Sequence, residues 1–111
     1  MSKKYLRKNE FRFDLNSKNF NKHGNPHPAY ISARYGHKYK ANAITHARKS
    51  NGYDNYDIFE NPNKLSKDKR QTRLSPPYWQ NINLFSNKLE NYHFSNKTRK
   101  HIRKINKKFK Q

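Results

Sequence analysis

Apolar and polar residues alternate in three separate stretches, and each has the period of a half-buried strand. Phe11, Phe13 and Leu15 alternate with Arg12 and Asp14. Over Ala29–Arg34, Ala29, Ile31 and Ala33 share one face and Tyr30, Ser32 and Arg34 the other. Tyr35-Gly36 supplies a turn, and His37 to Thr45 reads as the return strand. Tyr39, Ala41, Ala43 and Thr45 fall on one side of it; Lys38, Lys40, Asn42, Ile44 and His46 fall on the other. An antiparallel hairpin follows. In such a hairpin the first strand begins where the second ends, so His27 meets Thr45-His46 at its mouth. Pro26 and Pro28 flank His27 and hold its backbone extended.

The remaining pattern is shorter. Residues 16–25 are polar, contain Gly24 and read as a loop, as do residues 47–55 with their Asn51-Gly52 turn. Tyr56, Ile58 and Glu60 alternate with Asp57 and Phe59, predicting a short strand ended by Asn61-Pro62-Asn63. Residues 64–69 are a basic loop, and Arg70 to Leu74 is another short strand, stopped by Ser75-Pro76-Pro77. The aromatic stretch Tyr78 to Phe85 fits helix and strand equally; Trp79, Ile82, Leu84 and Phe85 are its core candidates. A helix is predicted over 95–109. Ser95 suits its N-cap, and Ile102, Ile105 and Phe109 form one apolar stripe that Thr98 extends. No carboxylate follows Glu90, so the lysines in its first turn oppose the helix dipole.

With 111 residues, of which 31% are hydrophobic, the chain suffices for one small α+β domain with a modest, aromatic-rich core. That domain is expected over 11–111, behind a flexible basic arm over 1–10 carrying Lys3, Lys4, Arg7 and Lys8. There is no cysteine, hence neither a disulfide framework nor a thiolate zinc site. No apolar run reaches the roughly 20 residues of a membrane span, and no apolar segment follows the basic N-terminus as in a secretory signal. The expected location is the cytoplasm.

The net charge of +19 changes the picture most. A small body so charged repels itself and attracts polyanions. Aromatic residues scattered among the lysines favour nucleic acid, since bases stack on exposed rings. The candidate phosphate contacts are Arg34, Lys38, Lys40, Arg70, Arg99, Lys100, Arg103, Lys104 and Lys107. Arg99 and Arg103 lie one helical turn apart, a spacing suited to successive phosphates. Tyr35, Tyr39, Tyr53 and Tyr56 are either stacking residues or core. RNA is expected before DNA; ribosome binding and DNA binding in a phage or mobile element are the alternatives.

Chemistry, if present, belongs at the hairpin mouth. Cutting RNA without a metal needs a base for the 2′-OH, an acid for the leaving oxygen and a cation for the developing charge. His27 and His46 suit the proton transfers, Thr45 can orient a phosphate oxygen, and Arg73 can supply the charge, with Arg34 or Arg70 as substitutes. The bland reading of the same residues is an exposed polar strand end. His23 and His27 have a metal-like spacing, but Pro26 breaks the helix that would align them, so no metal and no cofactor are expected. Asp54, Asp57 and Glu60 are expected to salt-bridge surplus lysines.

Pro28-Ala29-Tyr30-Ile31-Ser32, a second strand ending Ile44-Thr45, the later Arg73-Leu74-Ser75-Pro76 and a terminal helix together resemble PemK/MazF-like toxins. The resemblance covers about half the chain. It implies a small SH3-like β-barrel of about five short strands, metal-independent endoribonuclease activity and an antitoxin partner. The departure is His27, which stands where that family usually places arginine before the proline.

Overall fold

The structure is a computed structural model and describes residues 4–50 and 52–109. Eight strand segments precede one α-helix: β1 (Tyr5–Phe13), β2 (Pro28–Tyr35), β3 (Lys38–Thr45), β4 (Lys49–Ser50), β5 (Tyr53–Asp54), β6 (Tyr56–Ile58), β7 (Thr72–Leu74), β8 (Tyr78–Asn81) and α1 (Asn96–Asn106). All pairings are antiparallel. Six strands form one sheet in the order β1-β2-β3-β7-β6, with β8 also on β3; β4 and β5 make a separate hairpin. β1 and β6 end the order without pairing to each other among the described residues, so this sheet does not close into a barrel. The α+β architecture with its C-terminal helix is as the sequence predicts.

The β2–β3 hairpin forms where alternation placed it, with the turn one residue later than expected. Tyr35 pairs with Lys38, so Gly36-His37 is the two-residue turn. Gly36 has φ of +61°, a conformation that such loops require and that glycine adopts without strain. β1 is the larger departure. It starts at Tyr5, inside the stretch expected to be a flexible arm, and pairs along β2 from Tyr5↔Tyr35 to Phe13↔Pro28. Of that arm, residues 1–3 lie outside the described residues, as does Asn51 of the Asn51-Gly52 turn; Gly52 itself has φ of +82°.

Two core clusters lie on opposite faces of β2 and β3. Ala29, Ile31, Tyr39, Ala41 and Phe85 pack together on one face. On the other, Phe11, Tyr30, Ile44, Ile58, Leu74 and Phe94 meet Ile102 and Ile105 of α1. Phe11, Tyr30 and Phe94 form an aromatic triangle with centroids 5.1–5.5 Å apart. Tyr30, expected on the polar face of β2, is therefore buried, because α1 covers that face. In the aromatic stretch, β8 gives way to a 3-10 turn at Ile82–Leu84. Phe85 is buried, while Leu84, expected in the core, is exposed.

The helix begins after Ser95, whose hydroxyl accepts from the Thr98 N–H, and ends at Asn106, three residues short of the expected end. Asn106 is buried against β3. Its amide and that of Asn42 bond reciprocally at 2.9 and 3.2 Å, and Asn42 also donates to the Ser75 carbonyl at 3.0 Å. Removing one partner leaves a buried amide unsatisfied. Asn106→Ala should thus cost about 2 kcal/mol in urea unfolding; a change within experimental error would mean that the pair contributes nothing.

Candidate nucleic-acid interface

A groove of about 630 Å³ runs between α1 and the bulged parts of the first three strands. Its position follows from two register irregularities. β1 slips against β2 between Arg7 and Glu10, and β2 slips against β3 between Ile31 and Ala33, leaving Ser32 unmatched. Bulges bend and twist strands, and the residues lining the groove include Arg7, Ser32 and Lys40 beside these slips. Apolar surface comes from Tyr5, Tyr30, Ile102 and Phe109; charge comes from Arg7, Lys8, Lys40, Arg99, Arg103 and Lys107.

Among the described residues no carboxylate lines this groove. Glu10, just beyond it on β1, is turned to Arg12 at 2.6 Å and to Lys8 at 3.8 Å. Arg7, Lys40, Arg99, Arg103 and Lys107 have no ion pair among the described residues. Burial lowers the Lys40 pKa, the sign of an ammonium that has lost water without gaining a counter-charge. Burial raises the Tyr30 phenol, opposed by the charges of Arg99 and Arg103, which line the same groove. Arg99 donates through a terminal nitrogen to Asn96 Oδ1. Its Nε is buried with no hydrogen-bond partner among the described residues.

The hairpin mouth is the second cluster. β2 pairs with β3 as far as Ala29↔Ala43, and the His27 side chain hydrogen-bonds the Ile44 backbone, next to Thr45. The pKa of His27 is lowered by burial, against a hydrogen bond to the Ile44 backbone and the charge of Asp14; His46 lowers it further. His46 Nδ1 lies 3.1 Å from the Gln71 carbonyl oxygen, and Nε2 lies 3.4 Å from an Asp68 oxygen. Thr45 pairs across with Arg73, and its hydroxyl accepts from the Ala47 N–H at 3.1 Å. Arg73 donates to Asp57 at 3.0 Å and to the His46 carbonyl at 2.6 Å. The four residues share one region, then, but Arg73 and both His46 ring nitrogens already face protein partners. Thr45 and Lys40 are five residues apart on β3, about 16 Å along the strand, so this cluster is separate from the inner groove.

The other predicted contacts divide. Lys40, Arg99, Arg103 and Lys107 are brought together in the groove. Lys100 and Lys104 are exposed on α1 and Lys38 beside the hairpin turn, none of them lining it. Arg34 donates to the Gly36 carbonyl at 2.9 Å and lies over the Tyr39 ring. Arg70 is held by Asp68 at 2.6 Å, and this bond keeps the Asp68 carboxyl well below its ordinary range. Of the tyrosines, Tyr39 is core, Tyr56 packs against Phe109, and Tyr35 and Tyr53 are exposed. Asp54 and Glu60 pair with Lys49 and Lys64, but Asp57 pairs with Arg73. Among the described residues no cluster of three or more His, Asp or Glu side chains suits a metal, and no helix is long and apolar enough to cross a membrane.

Sequence reasoning missed Tyr5, Arg7 and Lys8, which it assigned to the arm, and Tyr30, which it placed on an uncovered face. Comparison with protein-family models, with curated proteins and with solved structures gave no match.

Proposed function

We propose that this protein binds RNA through the groove between α1 and β1–β3. The observation that carries the reading is the set of five cations that, among the described residues, have no ion pair and share one tyrosine-bearing groove with no carboxylate. In the free protein these charges repel one another, and Lys40 and Arg99 are also partly desolvated. A phosphate backbone relieves both costs. Fluorescence anisotropy with a short labelled RNA should give an affinity that falls steeply with salt. The log–log slope should be about −3.5, from about −0.7 per neutralised phosphate. No binding in low salt, or a flat salt dependence, would refute this reading; tighter binding to duplex DNA than to RNA would transfer it to DNA.

Metal-independent cleavage is the second reading, favoured by the meeting of His27 with the strand end that carries Thr45 and His46. Burial favours a neutral His27 imidazole, the form that accepts a proton from a 2′-OH. Attack of that oxygen on phosphorus would leave a cyclic phosphate, with the leaving 5′-oxygen taking its proton from His46. On this reading the open sheet is a relative of the SH3-like barrel of PemK/MazF-like toxins, and an antitoxin is the partner. RNA incubated with the protein and excess EDTA should then yield cyclic-phosphate ends, and His27→Ala should abolish them while binding persists. RNA left intact at every protein concentration excludes cleavage and leaves the binding function.

A further inference from the structure

We propose that the groove takes an unpaired nucleotide, with one phosphate held by Arg99 and Lys40 beside the Tyr30 hydroxyl and the base against the groove's apolar surface. This rests on the RNA-binding reading and adds to it a strand state and a specific anion subsite.

Three features converge on the subsite. The first is the buried Arg99 Nε–H, a donor without an acceptor among the described residues. A donor left unmade is rare in folded proteins, and the guanidinium that carries it lines the groove with no ion pair among the described residues. The second is Lys40, a part-buried ammonium on β3 that shares the groove and has no carboxylate partner among the described residues. The third is Tyr30, buried except where it lines the groove together with Arg99 and Arg103. A phosphate in the groove neutralises both cations, and a guanidinium binds it through more than one N–H.

The strand state follows from the mixture of surfaces. A duplex offers its phosphates but keeps its bases stacked inside. Exposed Tyr5 and half-buried Phe109 would then face only sugar and solvent. An unpaired nucleotide presents a π face to them. The 630 Å³ volume lies in the range of small-ligand clefts and admits one or two nucleotides. Arg103 and Lys107, one and two turns along α1 from Arg99, continue the charged track outward.

The test compares variants that separate fork geometry from charge. Arg99→Lys keeps the charge and loses the planar guanidinium fork, and should weaken binding of a labelled single-stranded RNA about tenfold. Lys100→Gln removes a charge on the same helix outside the groove and should weaken it no more than about threefold. Lys40→Met should weaken binding about tenfold yet leave the melting temperature unchanged or raised, because it replaces a desolvated cation with an apolar chain. A Lys40 whose role is only structural would give a lower melting temperature instead. The annealed duplex of the same RNA should compete at least about tenfold less well. Wild-type binding with Arg99→Lys and Lys40→Met both indistinguishable from it overturns the subsite while leaving RNA binding intact. Equal binding of duplex and single strand overturns the unpaired-nucleotide assignment, and absence of any binding by the wild type overturns both this proposal and the function on which it rests.

Discussion

Asp14→Ala is expected to destabilise the protein by about 4 kcal/mol, the largest effect of any single substitution considered. Asp14 is fully buried, and its two carboxyl oxygens accept four hydrogen bonds. They come from the Asn16 N–H at 2.9 Å, Gln80 Nε2 at 2.8 Å, Asn19 Nδ2 at 2.8 Å and the Tyr78 hydroxyl at 2.7 Å. Truncation removes the acceptor and strands several donors in the interior, where each costs about 1–3 kcal/mol if left unmade. Relaxation and entering water recover part of the sum. Burial, then the Asp14 charge and hydrogen bond, push the Tyr78 phenol far above its ordinary range, so it remains a donor. Asp14→Asn should cost less, since the amide keeps one acceptor but sets its own N–H groups against those donors. Urea unfolding at neutral pH measures both. Equal stability of Asp14→Ala and wild type would mean that the four bonds exchange freely with water.

That cluster also shows why a chain of this kind is half legible. The alternation Phe11, Phe13, Leu15 identifies a strand, and it assigns Asp14 to the polar side of a half-buried ribbon. In the fold, Asp14 ties the end of β1 to β8 through residues 64 and 66 positions away. No local pattern encodes a partner at that separation. Tyr30 is misplaced for a related reason: periodicity divides β2 into two faces, but only the docking of α1 decides that both are covered. Tyr5–Glu10 is hidden differently. It lies at an end of the strand order with Tyr5 and Leu6 exposed, so its strand character comes from pairing with β2 rather than from a buried face. The hairpin and the helix were legible because their signals are local: Gly36 at the turn, Ser95 at the cap, and the stripe of Ile102, Ile105 and Phe109. The groove was legible on its helix side and, on the opposing wall, at Lys40 alone. Charge and spacing identify Arg99 and Arg103, while the opposing wall depends on bulges, which leave no mark in the apolar pattern.

The second large effect concerns Glu60. The sequence offers no carboxylate to the basic first turn of α1, and the fold supplies one from the segment after β6. Glu60 accepts from the Ser95 N–H at 3.0 Å, the Ser95 hydroxyl at 3.0 Å and the Thr98 hydroxyl at 2.6 Å, and it pairs with Lys64 at 2.7 Å. Burial on its own would raise this carboxyl. Hydrogen bonds from Lys64, Thr98 and Ser95 outweigh burial and bring it from 4.5 down to about 2. A folded-state value below the unfolded one stabilises the protein above the unfolded value, and that stability is lost as pH falls through the folded value. The contribution is therefore whole at neutral pH, declines below about pH 4.5 and is gone near pH 2. Discounted for solvent screening at the open edge of the site, it amounts to about 2 kcal/mol. Glu60→Gln should lower stability by that amount at pH 7, and the gap from wild type should close as pH falls from about 4.5 towards 2. Because the bonds anchor the helix end nearest Arg99, the variant should also increase amide exchange in the first turn of α1. A gap that stays constant from pH 7 to pH 2 would show that the carboxylate charge is not what holds the helix in place.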